Sequence, residues 1–533
     1  MIQTLLVNGN IITLDERRPR ASALAISYGR VVALGEDADL RRLAGSGATV
    51  VNLDGKTVLP GLCDAHLHWE AQARALKSVN VFEIPNKAEA LERVRERAAQ
   101  SPAGEWITGQ GWAQDLWPDR AFPSKADLDT VAPHNPVYLS AKSGHAGWVN
   151  SAALAAAGIS DSTPDPDGGQ IARDDTGAAT GILLETALEL VDNCIPRPTG
   201  DQLADMMRDA QALAHQSGLT MIHDFDDPSC LVALQILRER GELGLRVVKQ
   251  VNQAWLDAAL ESGIRRNFGD DWIRIGALKL FADGALGPKT ALMFEPYQGE
   301  PDNFGMPVVD KEEMVEYVSR ASASGLPASV HAIGDKAVHD VLDVFERARQ
   351  EEAARGEPAS SRRHRIEHVQ IIHPLDAGRL AELNVIASMQ PIHATSDMAT
   401  ADRYWGERNK YAYNPRLQLD QGARIAFGSD APVEPLDPLL GIHAAVTRQR
   451  NGQPAGGWYP DARISLHETL LAFTQGPAYA AEMEDRLGML REGYLADLIV
   501  LDRDIYQVEP DEIPALTVLG AMVDGIWRYR EFD

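Results

Sequence analysis

The sequence predicts an α/β chain built on a (β/α)8 barrel, with a β-rich segment at each end and an inserted region after the first barrel strand. Two observations predict the barrel. Eight short apolar segments, each typical of a buried strand, alternate with helix-like stretches between residues 58 and 429. Several of these segments end in histidine or aspartate, and such barrels carry their functional side chains at the C-terminal ends of the strands.

The predicted barrel strands begin near residue 58 and are widely separated only once. In chain order they are 58–62, 219–223, 246–251, 273–280, 327–331, 364–368, 385–389 and 425–429. After the first strand the alternation stops for more than a hundred residues. We therefore expect an insertion at about residues 70–215, which begins with a helical pattern over 87–99.

Both ends of the chain show a different, strand-rich pattern. Short β segments with Asn-Gly and Asp-Gly turns occupy residues 5–13, 23–34 and 49–58. Similar segments occupy 496–502 and 516–529. The sequence thus predicts β structure outside the barrel at both ends.

Composition is that of an ordinary globular protein. The 533 residues are 44% hydrophobic and 24% charged, and the length suits a barrel of about 250 residues with attached parts. A net charge of −26 argues against nucleic acid or an anionic membrane as a partner, since both need basic patches. Three cysteines and the lack of a signal-peptide or membrane-span pattern lead us to expect a cytoplasmic location.

The first predicted strand runs into His66 and His68, which are separated by one residue. Alternate residues of a strand share a face, so the two imidazoles can bind one metal ion together. Imidazole nitrogen suits zinc and its first-row neighbours. A pair of surface or hydrogen-bonded histidines is the alternative for this motif taken alone.

Other strand patterns also contain or end in residues that bind metals. His331 and His368 end two strands, Asp430 follows another, and Lys279 lies inside an apolar strand pattern, where an unmodified and unpaired lysine is costly. Each has an alternative: hydrogen-bonded strand-end histidines, a turn or cap aspartate, and a lysine that reaches a carboxylate. Their common position at or within strand patterns favours a shared metal site.

With these residues in place, the chain resembles the amidohydrolase superfamily of metal-dependent hydrolases. Within it the chain is most similar to amidohydrolase family 3, the branch with YtcJ-like enzymes and N-substituted formamide deformylases. The stretches that carry the resemblance are 60–68, 143–154, 279–287, 331–335, 367–368, 389–391 and 428–432. The resemblance implies a composite β-sandwich domain from residues 1–58 and 486–533, and a hydrolase barrel over 59–485 whose insertion forms a lid.

The resemblance also implies a site with one or two divalent metals. His66 and His68 would bind one ion with Asp430, and His331 and His368 would bind the other. Lys279, carboxylated by carbon dioxide, would bridge them, with Glu185 from the insertion as the alternative bridge. Zinc is the first expectation, and iron, manganese, cobalt and nickel are compatible with these ligands.

Four further residues are candidates for substrate contact. His145 and Trp112 lie in the insertion, although tryptophans at such spacing are usually core residues. Asp335 can orient an imidazole or contact substrate, or cap the helix that follows it. His393 follows a barrel strand and can hold an oxyanion, with an exposed loop histidine as the alternative.

The resemblance implies hydrolysis of a C–N bond in a small amide, N-substituted formamide or carbamate. A metal-bound hydroxide would attack the carbonyl, and Asp430 would act as general acid/base. The alternatives are a deaminase of a cyclic amidine or an esterase on the same site, and, in another class, a metal-binding protein without catalysis. The expected partner is a small molecule. A homo-oligomer is compatible with the resemblance, because members of the superfamily commonly form dimers or tetramers.

Overall fold

The computed structural model describes residues 2–45, 47–82, 84–114, 117–141 and 146–533. The backbone divides into two compact units: Met1–Glu70 joined with Met207–Asp533, and Ala71–Met206. Among the helices in these described ranges, none is long and apolar enough to cross a lipid bilayer.

Within the described residues, the first unit is centred on a sheet of eight parallel strands, each paired with the next along the chain. The strands are Leu62–Leu67, Leu219–Asp224, Arg246–Asn252, Ile273–Phe281, Ala328–Ala332, Arg365–His368, Ile386–Met389 and Ile425–Phe427. Beyond the last strand, the Asp430 N–H donates to the carbonyl of His66 at 2.7 Å, which joins the eighth strand to the first. The predicted (β/α)8 barrel is confirmed.

Helices connect the barrel strands and follow the last one. They are Pro228–Glu239, Leu256–Glu261, Lys311–Ala323, Asp335–Ala354, Arg379–Glu382, Pro391–Tyr404, Pro415–Asp420, Pro438–Thr447, Leu466–Ala472 and Gln475–Ala480. Four of these helices have an N-cap side chain that accepts a hydrogen bond from the first turn. In Lys311–Ala323, for example, Asp310 accepts a hydrogen bond from the Glu313 N–H at 2.8 Å, and Met314 and Val318 are buried.

The first barrel strand begins later than the sequence predicted. Residues 58–62 were expected to form it, but Thr57–Pro60 is a separate strand outside the barrel, and the barrel strand is Leu62–Leu67. Gly61 separates them at a point where a Cβ atom would lie 2.2 Å from Thr220 Oγ1. Both strands are fully buried, and the residues on either side of Gly61 are apolar, so the sequence pattern does not separate the two strands.

Strands from the two ends of the chain pair with each other. In the described part of this unit, one sheet has the order Ile526–Arg530, Val518–Val523, Leu498–Leu501, Thr57–Pro60, Asn10–Ile12 and Arg20–Ala21. A second sheet has the order Arg30–Gly35, Ala23–Ser27, Thr4–Val7 and Thr49–Asn52, and the helix Asp37–Ala44 packs on it. Leu6, Leu24 and Val58 contribute to one apolar cluster that contains residues of both sheets.

The second unit has a sheet and core of its own. Its described strands run in the order Gly169–Arg173, Ala179–Glu185, Ala146–Val149, Val137–Ala141, Ile107–Trp112 and Val79–Asn80. Its described helices are Lys87–Gln100, Lys125–Asp129, Ser151–Ala156 and Glu189–Asp192. Two more helices, Trp69–Ala75 and Gly200–Gln216, each contain one of the two boundaries between the units. The helix Lys87–Gln100 matches the pattern predicted over 87–99, and Asn86 caps it by accepting a hydrogen bond from the Glu89 N–H at 2.8 Å.

Candidate active site

Two histidines at the end of the first barrel strand face the carboxylate that follows the eighth. His66 Nε2 and His68 Nε2 each lie 3.5 Å from Asp430 Oδ1. The His66 ring is almost completely buried, whereas His68 is partly exposed. These three side chains offer ligand atoms close enough together to hold one metal ion.

The Asp430 carboxylate is held in a defined orientation. The residue has a positive φ of 64°, and its N–H donates to the first strand. Burial alone would raise its pKa, but the hydrogen bond from His68 and the nearby His66 and His368 hold that pKa well below its usual range. Asp430 therefore presents an ionised carboxylate, the form that binds a cation or accepts a proton.

His331 and His368 lie at the ends of the fifth and sixth strands, beside this cluster. The centroid of the His368 ring is 4.5 Å from that of His331 and 4.9 Å from that of His66. A carbonyl and an amide oxygen contact these two rings: Gly284 O lies 2.9 Å from His331 Nε2, and Gln390 Oε1 lies 2.8 Å from His368 Nδ1. Four of the described histidines thus share one end of the barrel.

The hydrogen bonds show which nitrogen of each of these rings can bind a metal. In a neutral imidazole one nitrogen carries the proton and the other carries a lone pair. His66 and His68 place Nδ1 against the carboxylates of Glu367 and Asp226, at 2.6 and 3.1 Å. Because each ring has one nitrogen against an acceptor, its neutral form has the lone pair on Nε2 in His66, His68 and His368 and on Nδ1 in His331. Burial lowers the pKa of His68, but its hydrogen bonds to Asp226 and Asp430 raise that pKa to about 9, so this ring must lose the Nε2 proton before Nε2 can bind a metal. This donor set fits a divalent first-row metal.

Lys279 is a buried lysine in the fourth strand. Its Nζ lies 4.4 Å from the centroid of the Phe281 ring and 4.8 Å from that of Phe225. Burial lowers the pKa of its amine to about 8, against the opposing effect of the Glu367 and Asp430 charges. A lysine in such surroundings has an appreciable neutral fraction near that pH.

His393 is buried on the helix Pro391–Tyr404, so the alternative of an exposed loop histidine was wrong. Pro391 at the first helical turn is a signal for that helix. The Gln370 amide nitrogen lies 3.1 Å from His393 Nδ1, which makes Nδ1 the acceptor and leaves the proton on Nε2. Nε2 lies 3.7 Å from Asp430 Oδ2 and, among the described residues, has no hydrogen-bond partner. It is a donor aimed into the site.

The remaining predicted residues have varied surroundings. Asp335 is the first residue of the helix Asp335–Ala354 and accepts from the Phe294 N–H at 2.9 Å, while Gly334 is the N-cap. Trp112 is buried in the core of the second unit, where its indole N–H donates to Leu139 O at 2.8 Å. Glu185 is an exposed residue at the end of Ala179–Glu185 in that unit. His145 lies outside the described residues.

Sequence reasoning missed the residues that orient the histidines. Glu367, Asp226 and Gln390 each contact the nitrogen of a site histidine that faces away from the cluster. Asp283 was missed as well. Its carboxylate accepts backbone hydrogen bonds from Leu292, Ile333 and Gly334 and lies 3.7 Å from His331 Nε2, and burial raises its pKa to about 7. The sequence did offer one indication of Glu367, Asp226 and Asp283: each is a carboxylate at, or just beyond, the end of a barrel strand.

Several known proteins are similar to this chain over most of its length. The N-substituted formamide deformylase of Arthrobacter pascens is 30% identical over 99% of each chain. The protein LONG AFTER FAR-RED 3 of Arabidopsis thaliana is 33% identical over 98% of this chain and 91% of its own. The crystal structure of an uncharacterized metal-dependent hydrolase from Pyrococcus furiosus is 32% identical, with a TM-score of 0.78 over 94% of this chain and 99% of that one.

The sequence model of the amidohydrolase family matches residues 49–529, a range that contains the barrel and the site histidines. The chain therefore belongs to the amidohydrolase family of metal-dependent hydrolases.

Proposed function

We propose that this chain hydrolyses a C–N bond in a small amide, N-substituted formamide or carbamate with one or two divalent metal ions, zinc first among them. The observation that carries the proposal is the position of Asp430, whose carboxylate faces the Nε2 atoms of His66 and His68 at 3.5 Å. The bond type is supported by the likeness, over 99% of each chain, to a protein named N-substituted formamide deformylase.

Two groups of ligands are proposed. His66, His68 and Asp430 would hold one ion, and His331 and His368 would hold the second. Lys279, carboxylated on Nζ, is proposed as the bridge because it is buried on the fourth strand among charges of the site. Glu185 remains the alternative bridge. A bound ion would acidify a water molecule and polarise the scissile carbonyl.

The chain's own residues supply the proton transfers. Asp430 is ionised and would accept a proton from the attacking water and deliver it to the nitrogen of the leaving amine. The water oxygen forms a C–O bond to the carbonyl carbon, and the C–N bond then breaks as the amine takes up the proton. An amine is released with a carboxylic acid from an amide or formamide, or with a carbonic half-ester from a carbamate. His393 Nε2, which carries a proton and points toward Asp430, would donate a hydrogen bond to the carbonyl oxygen as charge develops on it.

The test is a substrate panel with a matched pair of variants. Wild-type protein, supplied with zinc, is assayed on N-substituted formamides, acetamides and carbamates, and on matched esters and cyclic amidines. Asp430→Asn is compared with Asp437→Asn, because Asp437 caps a helix by accepting from the Leu439 N–H at 2.9 Å and asparagine caps equally well.

We expect turnover of at least one amide-type substrate, lost in Asp430→Asn and kept in Asp437→Asn. Removal of a general acid/base typically lowers the rate by about 10²–10⁴-fold. Retained turnover in Asp430→Asn would contradict the assigned role of Asp430. Turnover of esters or cyclic amidines alone would contradict the proposed bond type while leaving the metal site intact.

A further inference from the structure

A buried carboxylate lies directly behind one of the proposed ligands. Glu367 Oε2 is 2.6 Å from His66 Nδ1, and both side chains are almost completely buried. Glu367 is the residue before His368 in the sixth strand, whereas His66 belongs to the first. The contact therefore crosses the barrel interior.

Ser329 on the fifth strand and Arg365 on Glu367's own strand also donate to the Glu367 carboxylate. The Ser329 hydroxyl donates to Oε1 at 2.5 Å, and the Arg365 guanidinium donates to the same carboxylate. Arg365 also donates to Ala65 O at 2.6 Å, one residue before His66. The carboxylate can only accept, so it fixes the proton of His66 on Nδ1 and leaves Nε2 facing Asp430.

We propose that Glu367 is the positioning residue of the metal site: it fixes the tautomer and ring orientation of His66 and thereby strengthens metal binding. The inference rests on the proposed metal site. Carboxylates that orient metal-binding histidines in this way contribute about 10–100-fold to metal affinity.

The chain contains a second buried carboxylate with the same kinds of partner. Glu352 accepts from His364 Nε2 at 2.9 Å, from the Ser322 hydroxyl at 2.7 Å and from Arg349. The two carboxylates differ in the histidine that each one contacts. His364 Nδ1 accepts from the Ala328 N–H at 2.9 Å, so both nitrogens of that ring are used within the fold, whereas His66 Nε2 faces Asp430. Glu352 is therefore a matched structural control.

Glutamine is the informative substitution at both positions. An amide has one acceptor oxygen, but donors face both oxygens of Glu367: His66 Nδ1 and Arg365 Nη2 at Oε2, and the Ser329 hydroxyl and Arg365 Nε at Oε1. In Glu367→Gln the amide nitrogen must therefore face a donor. In Glu352→Gln the same conflict arises without a metal ligand being involved.

The experiment measures zinc affinity of the full chain by competition with a chromophoric chelator, after removal of bound metal. We expect the Kd to rise about 10–100-fold in Glu367→Gln and to match wild type in Glu352→Gln. Urea unfolding of the metal-free proteins shows whether both variants are folded. A Glu367→Gln protein that binds zinc as tightly as wild type, or an equal loss in Glu352→Gln, would overturn the inference.

A second measurement does not depend on whether a Glu367 variant folds. In metal-free wild type labelled with ¹⁵N-histidine, we expect His66 to be the Nδ1–H tautomer, with its signals assigned by their loss in His66→Asn. An Nε2–H tautomer would overturn the inference. Wild type that binds no zinc would overturn the proposed function and this inference together, whereas tight wild-type binding with no effect of Glu367→Gln would overturn this inference alone.

Discussion

Arg246 and Asp497 form a bidentate ion pair in which both side chains are almost completely buried, with Nε–Oδ2 and Nη2–Oδ1 distances of 2.6 and 2.9 Å. Arg246 begins the third barrel strand, and Asp497 immediately precedes Leu498–Leu501, a strand of the sheet that joins the two chain ends. The pair thus links the barrel to that sheet.

Asp497→Ala should destabilise the protein because it leaves the Arg246 guanidinium buried without its main counter-ion. Breaking one side of a buried pair typically costs about 3–5 kcal/mol. The free energy of unfolding in urea measures the effect. Arg42→Ala is the control, because the Arg42–Asp39 pair is exposed and such pairs contribute about 0–1 kcal/mol. Equal effects of the two substitutions would show that the buried pair does not stabilise this link.

The bridge between the two proposed ions can be assigned by metal counting. If the wild-type chain holds two ions, we expect Lys279→Ala to lower the zinc content to one ion or none, because it removes the amine that carbon dioxide would carboxylate. Glu185→Gln should leave the content at the wild-type value. The reverse pattern would make Glu185 the bridge, and no change in either variant would rule out both residues.

His393 is expected to contribute to rate and not to metal binding. Its Nδ1 accepts from Gln370, so Nε2 carries a proton and is a donor. His393→Ala should lower kcat by about 10²–10³-fold, the usual cost of removing one oxyanion donor. Zinc content should be unchanged, and His467→Ala, a surface histidine that contacts the Tyr506 hydroxyl, should be neutral. Loss of zinc in His393→Ala would show instead that His393 is a ligand.

The strand ends could be predicted from the sequence because barrel topology brings the C-terminal ends of parallel strands together. Residues as distant in sequence as His66 and Asp430 were expected at one end of the barrel, and the structure places them within 3.5 Å. The start of the first strand was misplaced, since two buried strands meet at Gly61 without a change of hydrophobic pattern.

The orienting contacts could not be predicted in the same way. Whether Glu367 reaches His66 depends on the direction of side chains from strands one and six, and on Ser329 and Arg365 between them. A sequence pattern gives the face of a strand but not which partner across the barrel a side chain meets. The helix that carries His393 was not predicted, although Pro391 at its first turn is a typical helix start.

The most direct test of the central claim is the metal content per chain of protein purified without chelator, together with amide hydrolysis before chelation, after chelation and after zinc is returned. The account predicts one or two ions per chain, loss of hydrolysis when they are removed, and recovery with zinc. A chain that holds no metal and hydrolyses amides equally well after chelation would contradict it.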